Sequence, residues 1–209
     1  MLPVEPLVLL AFLPAGLALN LTPGPDMTFC LAQGLRSGPR AAMAASAGVA
    51  AGCFVHVTLA ALGLGALVAT HPMAFDVIRW GGVAYLVWLA VQTLRHPFAP
   101  PDAKAIGTSP ARAFRQALLV NLLNPKVILF ILAFLPQFTD PARALLPQFL
   151  LLGSFLAMGG FIINGAVGLS AGGLGARLAR SPRLGLWLSR TTAGLFLALA
   201  ARLALQPRG

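Results

Sequence analysis

The chain has 209 residues, 58% of them hydrophobic and only 10% charged, with a mean hydropathy of +0.84 and a net charge of +10. A soluble domain of this length carries roughly a quarter charged residues, so composition excludes an ordinary soluble fold and makes lipid the solvent for most of the surface. The basic excess would suggest nucleic acid in a soluble protein, but no aromatic-interleaved basic stretch accompanies it; in a membrane protein it sets orientation.

The opening Met1-Leu-Pro-Val-Glu5 lacks the basic stretch of a cleavable signal, so the first span is expected to be retained. Six apolar spans follow, at about 6–35, 41–70, 77–95, 113–136, 145–172 and 184–205. Each is long enough to cross a hydrocarbon core, and each is expected to be helical, because a lone strand leaves its backbone unsatisfied in lipid. The expected fold is an all-α membrane protein of six transmembrane helices.

Span one contains Leu19-Asn-Leu-Thr-Pro-Gly-Pro25, in which Pro23, Gly24 and Pro25 break the helix over 20–26. Asp26 follows, the only acidic residue well inside a span. A carboxylate at that depth costs about 2.5–3.5 kcal/mol, so it should face a cavity or a partner; the plainer alternative is a cap on the half-helix after Pro25. Span two carries Ala44, Gly48 and Gly52, leading to His56, at a spacing of four that allows close packing on one face. His56 is either a packing histidine or a proton-handling one. Cys30 and Cys53 stand apart from any CxxC or His cluster and read as small buried hydrophobes.

After span three, the stretch 96–112 holds Pro97, Pro100, Pro101, Gly107 and Pro110 and reads as a cytoplasmic linker between a first half, 1–95, and a second, 113–209. Span four repeats the interruption in Asn121-Leu-Leu-Asn-Pro-Lys126, where Pro125 follows Asn124 as Pro23 follows Thr22. Lys126 could snorkel to the surface, pair with Asp26, or bind a substrate carboxylate together with the free N–H groups after Pro125. Asn20 and Asn124 flank the breaks, while Asn121 and Asn164 read as interhelical hydrogen-bonding groups. Span five again spaces small residues by four, at Gly160, Asn164, Gly168 and Gly172. His71 and His96 fall at span ends and read as interfacial.

Three spans per half is an odd number, so the halves must run in opposite senses. Inverted repeats with matching broken first helices point to a secondary transporter with a midplane site. Ten basic residues, from Arg36 and Arg40 through Arg95, Lys104, Arg112 and Arg115 to Arg177, Arg180, Arg183 and Arg190, fall on one side of this plan. Four, Arg79, Arg143, Arg202 and Arg208, fall on the other, which places both termini outside the cytoplasm.

Asn20-Leu-Thr-Pro-Gly-Pro-Asp26 resembles the first signature of the lysine-exporter and homoserine/threonine-resistance translocator family. Phe114-Arg-Gln-Ala-Leu-Leu-Val-Asn-Leu-Leu-Asn-Pro-Lys126, running on to Phe134-Leu-Pro-Gln-Phe138, is similar to its second, and Gly48, Gly52, His56, Gly63, Gly65 and Arg79-Trp-Gly-Gly-Val-Ala-Tyr85 also fit. The resemblance implies a multi-pass protein of the bacterial inner membrane that exports an amino acid or a close derivative, with protons as the coupling ion. Absence of a GxxxxGK[ST] stretch agrees with a drive other than ATP. Gly160 departs from the pattern, since some relatives carry an acid there. The working residues expected on this basis are Asp26, Lys126, His56, Asn20 and Asn124, with no metal, no cofactor and no nucleic acid, and with room for homo-oligomerisation. An ion or metal transporter would need a cluster of acids or histidines, and a membrane enzyme or redox relay would need paired nucleophiles, haem ligands or dithiols; one deep acid and two isolated cysteines favour neither.

Overall fold

A computed structural model describes residues 3–70, 73–95, 107–140, 142–172 and 181–205. Every regular element among them is helical: α1 (Pro6–Leu21), α2 (Pro25–Ser37), α3 (Pro39–Thr70), α4 (Met73–Arg95), α5 (Pro110–Leu122), α6 (Pro125–Phe134), α7 (Leu145–Leu169) and α8 (Pro182–Leu205). Short 3₁₀ turns follow α6 (Leu135–Phe138) and α7 (Ser170–Gly172). Most of the 96–112 linker lies outside the described residues, as do His71, His96, Lys104, Arg177, Arg180 and Arg208.

Two single helices, at Pro39–Gly63 and Leu145–Leu169, are long and apolar enough to cross a membrane. Two bent pairs match that length: α1 with α2, meeting at 54°, and α5 with α6 and its 3₁₀ extension, meeting at 53°. Both bends have local causes. Pro23 drives Thr22 into an extended conformation (φ −68°, ψ 118°). Gly24 follows, also extended (φ −169°), as the N-cap of α2. In the second pair Asn124 is the N-cap, and its Oδ1 accepts from the Lys126 N–H at 3.1 Å. Pro25 and Pro125 each occupy the first position of the following helix, where a missing N–H costs nothing.

This corrects the sequence register by two residues. The counterpart of Pro125 is Pro25, with Pro23 inside the break, so Asp26 is matched by Lys126 at the second position of each half-helix. The second break is also narrower than 121–126, because Asn121 still belongs to α5.

Helix α3 runs between α5 and α7. It starts directly after Gly38, whose φ of +81° lets the chain turn sharply out of α2. On the α5 side, a Cβ on Gly48 would strike the Phe114 carbonyl, and one on Gly52 would come within 2.6 Å of Asn121 Oδ1. On the α7 side, a Cβ on Gly153 would meet Val57 at 2.6 Å and one on Gly168 would meet Ala42 at 2.8 Å. The stripe expected on span five is divided. Gly168 serves α2 and α3, whereas Gly160 faces Asn20 of α1. A strict spacing of four drifts by about 40° per step on a 3.6-residue helix, so it cannot hold one neighbour for long. Lipid supplies no hydrophobic drive between helices, so such close approach is what holds them together.

The other half-helices pack on an apolar cluster containing Phe12, Phe130, Phe134, Phe138, Phe149 and Phe196. Phe12 and Phe138 meet edge to face at 5.4 Å between ring centroids, tying α1 to the end of α6. Helix α4 packs mainly on α8 and α6. Its face towards the breaks is thereby left to line a cavity.

Candidate functional site at the crossed breaks

At each break the backbone leaves polar groups without helical partners, and side chains from the opposite half meet them. Lys126 sits at the N-terminal end of α6, where a cation opposes the helix dipole. Its stem carries the ammonium across to the C-terminal end of α1, where Nζ donates to Leu19 O (3.1 Å) and Thr22 O (2.9 Å). Leu19 O meets Pro23 where a helix would supply an N–H and keeps only a 3.3 Å contact from the Thr22 N–H, and the dipole at this helix end favours a cation. Lys126 therefore neither snorkels nor makes a direct ion pair with Asp26; it bolts the first break shut.

Asp26 makes the reciprocal crossing. It lies in the first turn of α2, where an anion suits the dipole, and its Oδ2 accepts from Asn121 Nδ2 of α5 at 2.9 Å. Capping does not explain Asp26, because the N-cap is Gly24 and no side chain caps α2. The Asn124 amide also approaches this carboxylate, but its Nδ2 makes no hydrogen bond. Asn121 Oδ1 lies against Gly52, which explains why a residue without a Cβ is needed there. His56 Nε2 lies 3.1 Å from the Asn121 carbonyl, which also accepts from the Asn124 N–H at 3.0 Å. His56 thus braces the end of α5 and lines neither of the cavities described next.

Two cavities meet at Lys126 and Thr22. The inner one is about 30 Å³, enough for a water, and is bordered by Asn20, Asp26, Cys53, Asn121, Gly160 and Asn164. The outer one is about 380 Å³ and extends from Pro23, Gly24 and Asn124 to Tyr85, Trp88 and Gln92 of α4. Asn20 is steadied by donation from Nδ2 to Leu156 O at 3.0 Å. Both cysteines are buried and unpaired, and no group of three or more His, Cys, Asp or Glu that could hold a metal occurs among the described residues.

Buried polar atoms without partners concentrate here. Among the described residues, Asp26 Oδ1, Asn121 Oδ1, Asn124 Nδ2 and Tyr85 Oη are four of the six such atoms, and all belong to residues lining the two cavities. Each leaves about 1–3 kcal/mol of hydrogen bonding unrealised. Sequence reasoning placed Asp26, Lys126, Asn20 and Asn124 beside the breaks but missed Trp88 and Gln92. Their signal was the spacing Tyr85, Trp88, Gln92, which puts three cavity-lining groups on one helical face.

A family model for the LysE type translocator matches residues 17–207. The chain is 38% identical over 199 residues to an uncharacterized membrane protein of Vibrio cholerae, covering 94% of this chain and 96% of that one. It is 33% identical over 195 residues to a homoserine/homoserine lactone efflux protein of Salmonella typhi, covering 93% and 94%. To a leucine efflux protein of Klebsiella pneumoniae it is 35% identical over 133 residues, 63% of each chain. No solved structure matches. The chain therefore belongs to the LysE type translocator family, as a membrane protein that translocates a solute rather than an enzyme.

Proposed function

We propose that the protein exports an amino acid or amino-acid derivative across the bacterial inner membrane by alternating access, coupled to the proton gradient. The observation that carries the reading is the pair of opposite charges at matched positions after two breaks of nearly equal angle, Asp26 and Lys126, bordering one small cavity. A zwitterion presents the complementary pair. Asp26 Oδ1, an acceptor without a donor, suits an α-ammonium. Lys126 Nζ and Asn124 Nδ2 suit an α-carboxylate. The same carboxylate can instead hold a proton on the return step, which is the simplest form of antiport. One charge moved down 100 mV is worth about 2.3 kcal/mol, or roughly a fiftyfold gradient of a zwitterion. The efflux proteins of Salmonella typhi and Klebsiella pneumoniae named above support the substrate class and the direction.

The architecture that goes with this reading is six spans in two inverted three-helix repeats, 1–95 and 113–209, joined by a linker at 96–112. The bent pairs supply the first span of each repeat, and α3, α4, α7 and α8 supply the rest. The excess of basic residues at one face puts the linker in the cytoplasm and both termini outside. Gly38 then lies on the cytoplasmic side. In a variant lacking Cys30 and Cys53, a cysteine placed at the adjacent exposed Pro39 is expected to react with a membrane-impermeant thiol reagent only after the cells are opened. Reaction in intact cells would reverse the orientation.

Transport itself is tested by counterflow in proteoliposomes with a panel of radiolabelled amino acids. One or a few are expected to accumulate well above protein-free liposomes, and dissipation of an imposed proton gradient should accompany net flux. A full panel that never exceeds the protein-free control would remove the amino-acid reading.

A further inference from the structure

The outer cavity is larger than recognition of an α-ammonium and an α-carboxylate requires. At about 380 Å³ against about 30 Å³ for the inner one, it is where the bulk of a solute fits. We propose that this cavity seats the substrate side chain against Trp88 and Tyr85 of α4, and that the substrates are amino acids or derivatives with uncharged side chains. The inference deepens the export reading above and rests on it.

Charge accounts for the second half of the proposal. Among the described residues lining the two cavities there is one carboxylate, Asp26, and one ammonium, Lys126. A zwitterion's own two charges engage both. A lysine, arginine, aspartate or glutamate would bring a third charge into a space with no partner for it. The penalty for an unpaired charge within the membrane corresponds to a disadvantage of roughly a hundredfold.

The walls account for the first half. Trp88 and Tyr85 lie one helical turn apart, stacked with ring centroids 5.4 Å apart and planes 23° apart. They present a continuous aromatic surface with the buried Leu89 beside it. Tyr85 carries a buried hydroxyl without a partner, and Gln92 stands one turn further along α4. An apolar side chain, or one ending in a hydroxyl or ester carbonyl, fits such a wall. Thr28, Gln92, Thr93 and Asn124 add hydrogen-bonding groups to a lining that is mostly apolar. The α4 part of this wall ends at Gln92 and Thr93, close to Arg95 at the terminus of the helix. With Arg95 on the cytoplasmic side, the cavity leans towards the side from which an exporter loads.

The test ranks kcat/KM across the twenty amino acids for the reconstituted protein and repeats the ranking for Trp88→Ala and Trp88→Phe. The uncharged amino acids are expected to lead, with the four charged ones named above lower by about a hundredfold. In Trp88→Ala the preference for the best substrate over glycine should fall roughly tenfold, mainly through KM, and Trp88→Phe should restore most of it. A Trp80→Phe/Trp187→Phe variant leaves Trp88 as the single tryptophan. Its emission should respond saturably to the best substrate in detergent, independently of transport. A charged amino acid at the head of the ranking overturns the charge class while export stands. An unchanged preference in Trp88→Ala, or emission blind to substrate, overturns the seat on α4. Absence of any amino-acid flux in the wild type sinks the export reading, and this inference with it.

Discussion

The Asp26→Asn protein is expected to reach the membrane and melt at the wild-type temperature, yet to lose gradient-driven export by roughly a hundredfold or more. The two halves of that expectation come from different bonds. Asn keeps the size of Asp, and its Oδ1 can still accept from Asn121 Nδ2, the 2.9 Å bond that joins α2 to α5. Packing around it is unchanged, so stability should hold. What disappears is the negative charge and the exchangeable proton. A hydrogen bond to a charged group contributes about 1.5–3 kcal/mol, so losing the ammonium partner alone weakens substrate engagement by about ten- to a hundredfold. Losing the proton site removes coupling as well. The measurement pairs a thermal melt in detergent with export rates at matched membrane levels. Wild-type export from Asp26→Asn would return the carboxyl to a structural role.

Lys126→Met should behave differently, and the contrast is informative. The ammonium serves the resting structure directly, through the Leu19 and Thr22 carbonyls at the end of α1. Met fills a similar volume but donates nothing, so Thr22 O loses its donor and Leu19 O keeps only the Thr22 N–H at 3.3 Å, a cost of about 1–3 kcal/mol. The variant should therefore melt several degrees lower, besides losing export through the missing carboxylate partner. Lys126→Arg keeps the charge but not the compact head, and should recover stability more fully than transport. Asp26→Asn thus separates transport from stability, whereas Lys126→Met ties them together. An unchanged melting temperature in Lys126→Met would show that the bolt across the first break contributes nothing to the fold.

The bolt also bears on how the site could open. Lys126 lies where the inner and outer cavities meet, and its ammonium is held by carbonyls in the conformation described. A substrate carboxylate reaching Nζ from the outer cavity competes with those carbonyls as a stronger acceptor. On the proposed reading, release of the α1 terminus follows from substrate binding itself, which is the differential interaction that a ligand-driven change of state requires.

Much of this protein is determined by sequence acting locally. Hydropathy located the helices to within a few residues, because an apolar run in lipid has no other way to satisfy its backbone. Thr22-Pro-Gly-Pro25 and Asn124-Pro125 located both breaks, because proline's missing N–H and fixed φ act on their immediate neighbours. Asp26 and Lys126 stood out because a charge deep in a span is costly wherever it points. Only the tertiary structure decided what these groups meet. Asn121 and Asp26 are separated by 95 residues, and Lys126 is 107 from Leu19. Whether a helix terminus in one half finds its counter-charge in the other depends on crossing angle and rotation, which α3 sets through the close approach of Gly52 to Asn121. The same holds for α4. Its sequence shows that Tyr85, Trp88 and Gln92 share a face, but that this face borders the breaks follows from α4 packing on α6 and α8. Local backbone chemistry is written in neighbouring residues; the site is made by residues that become neighbours only when the two halves are packed together.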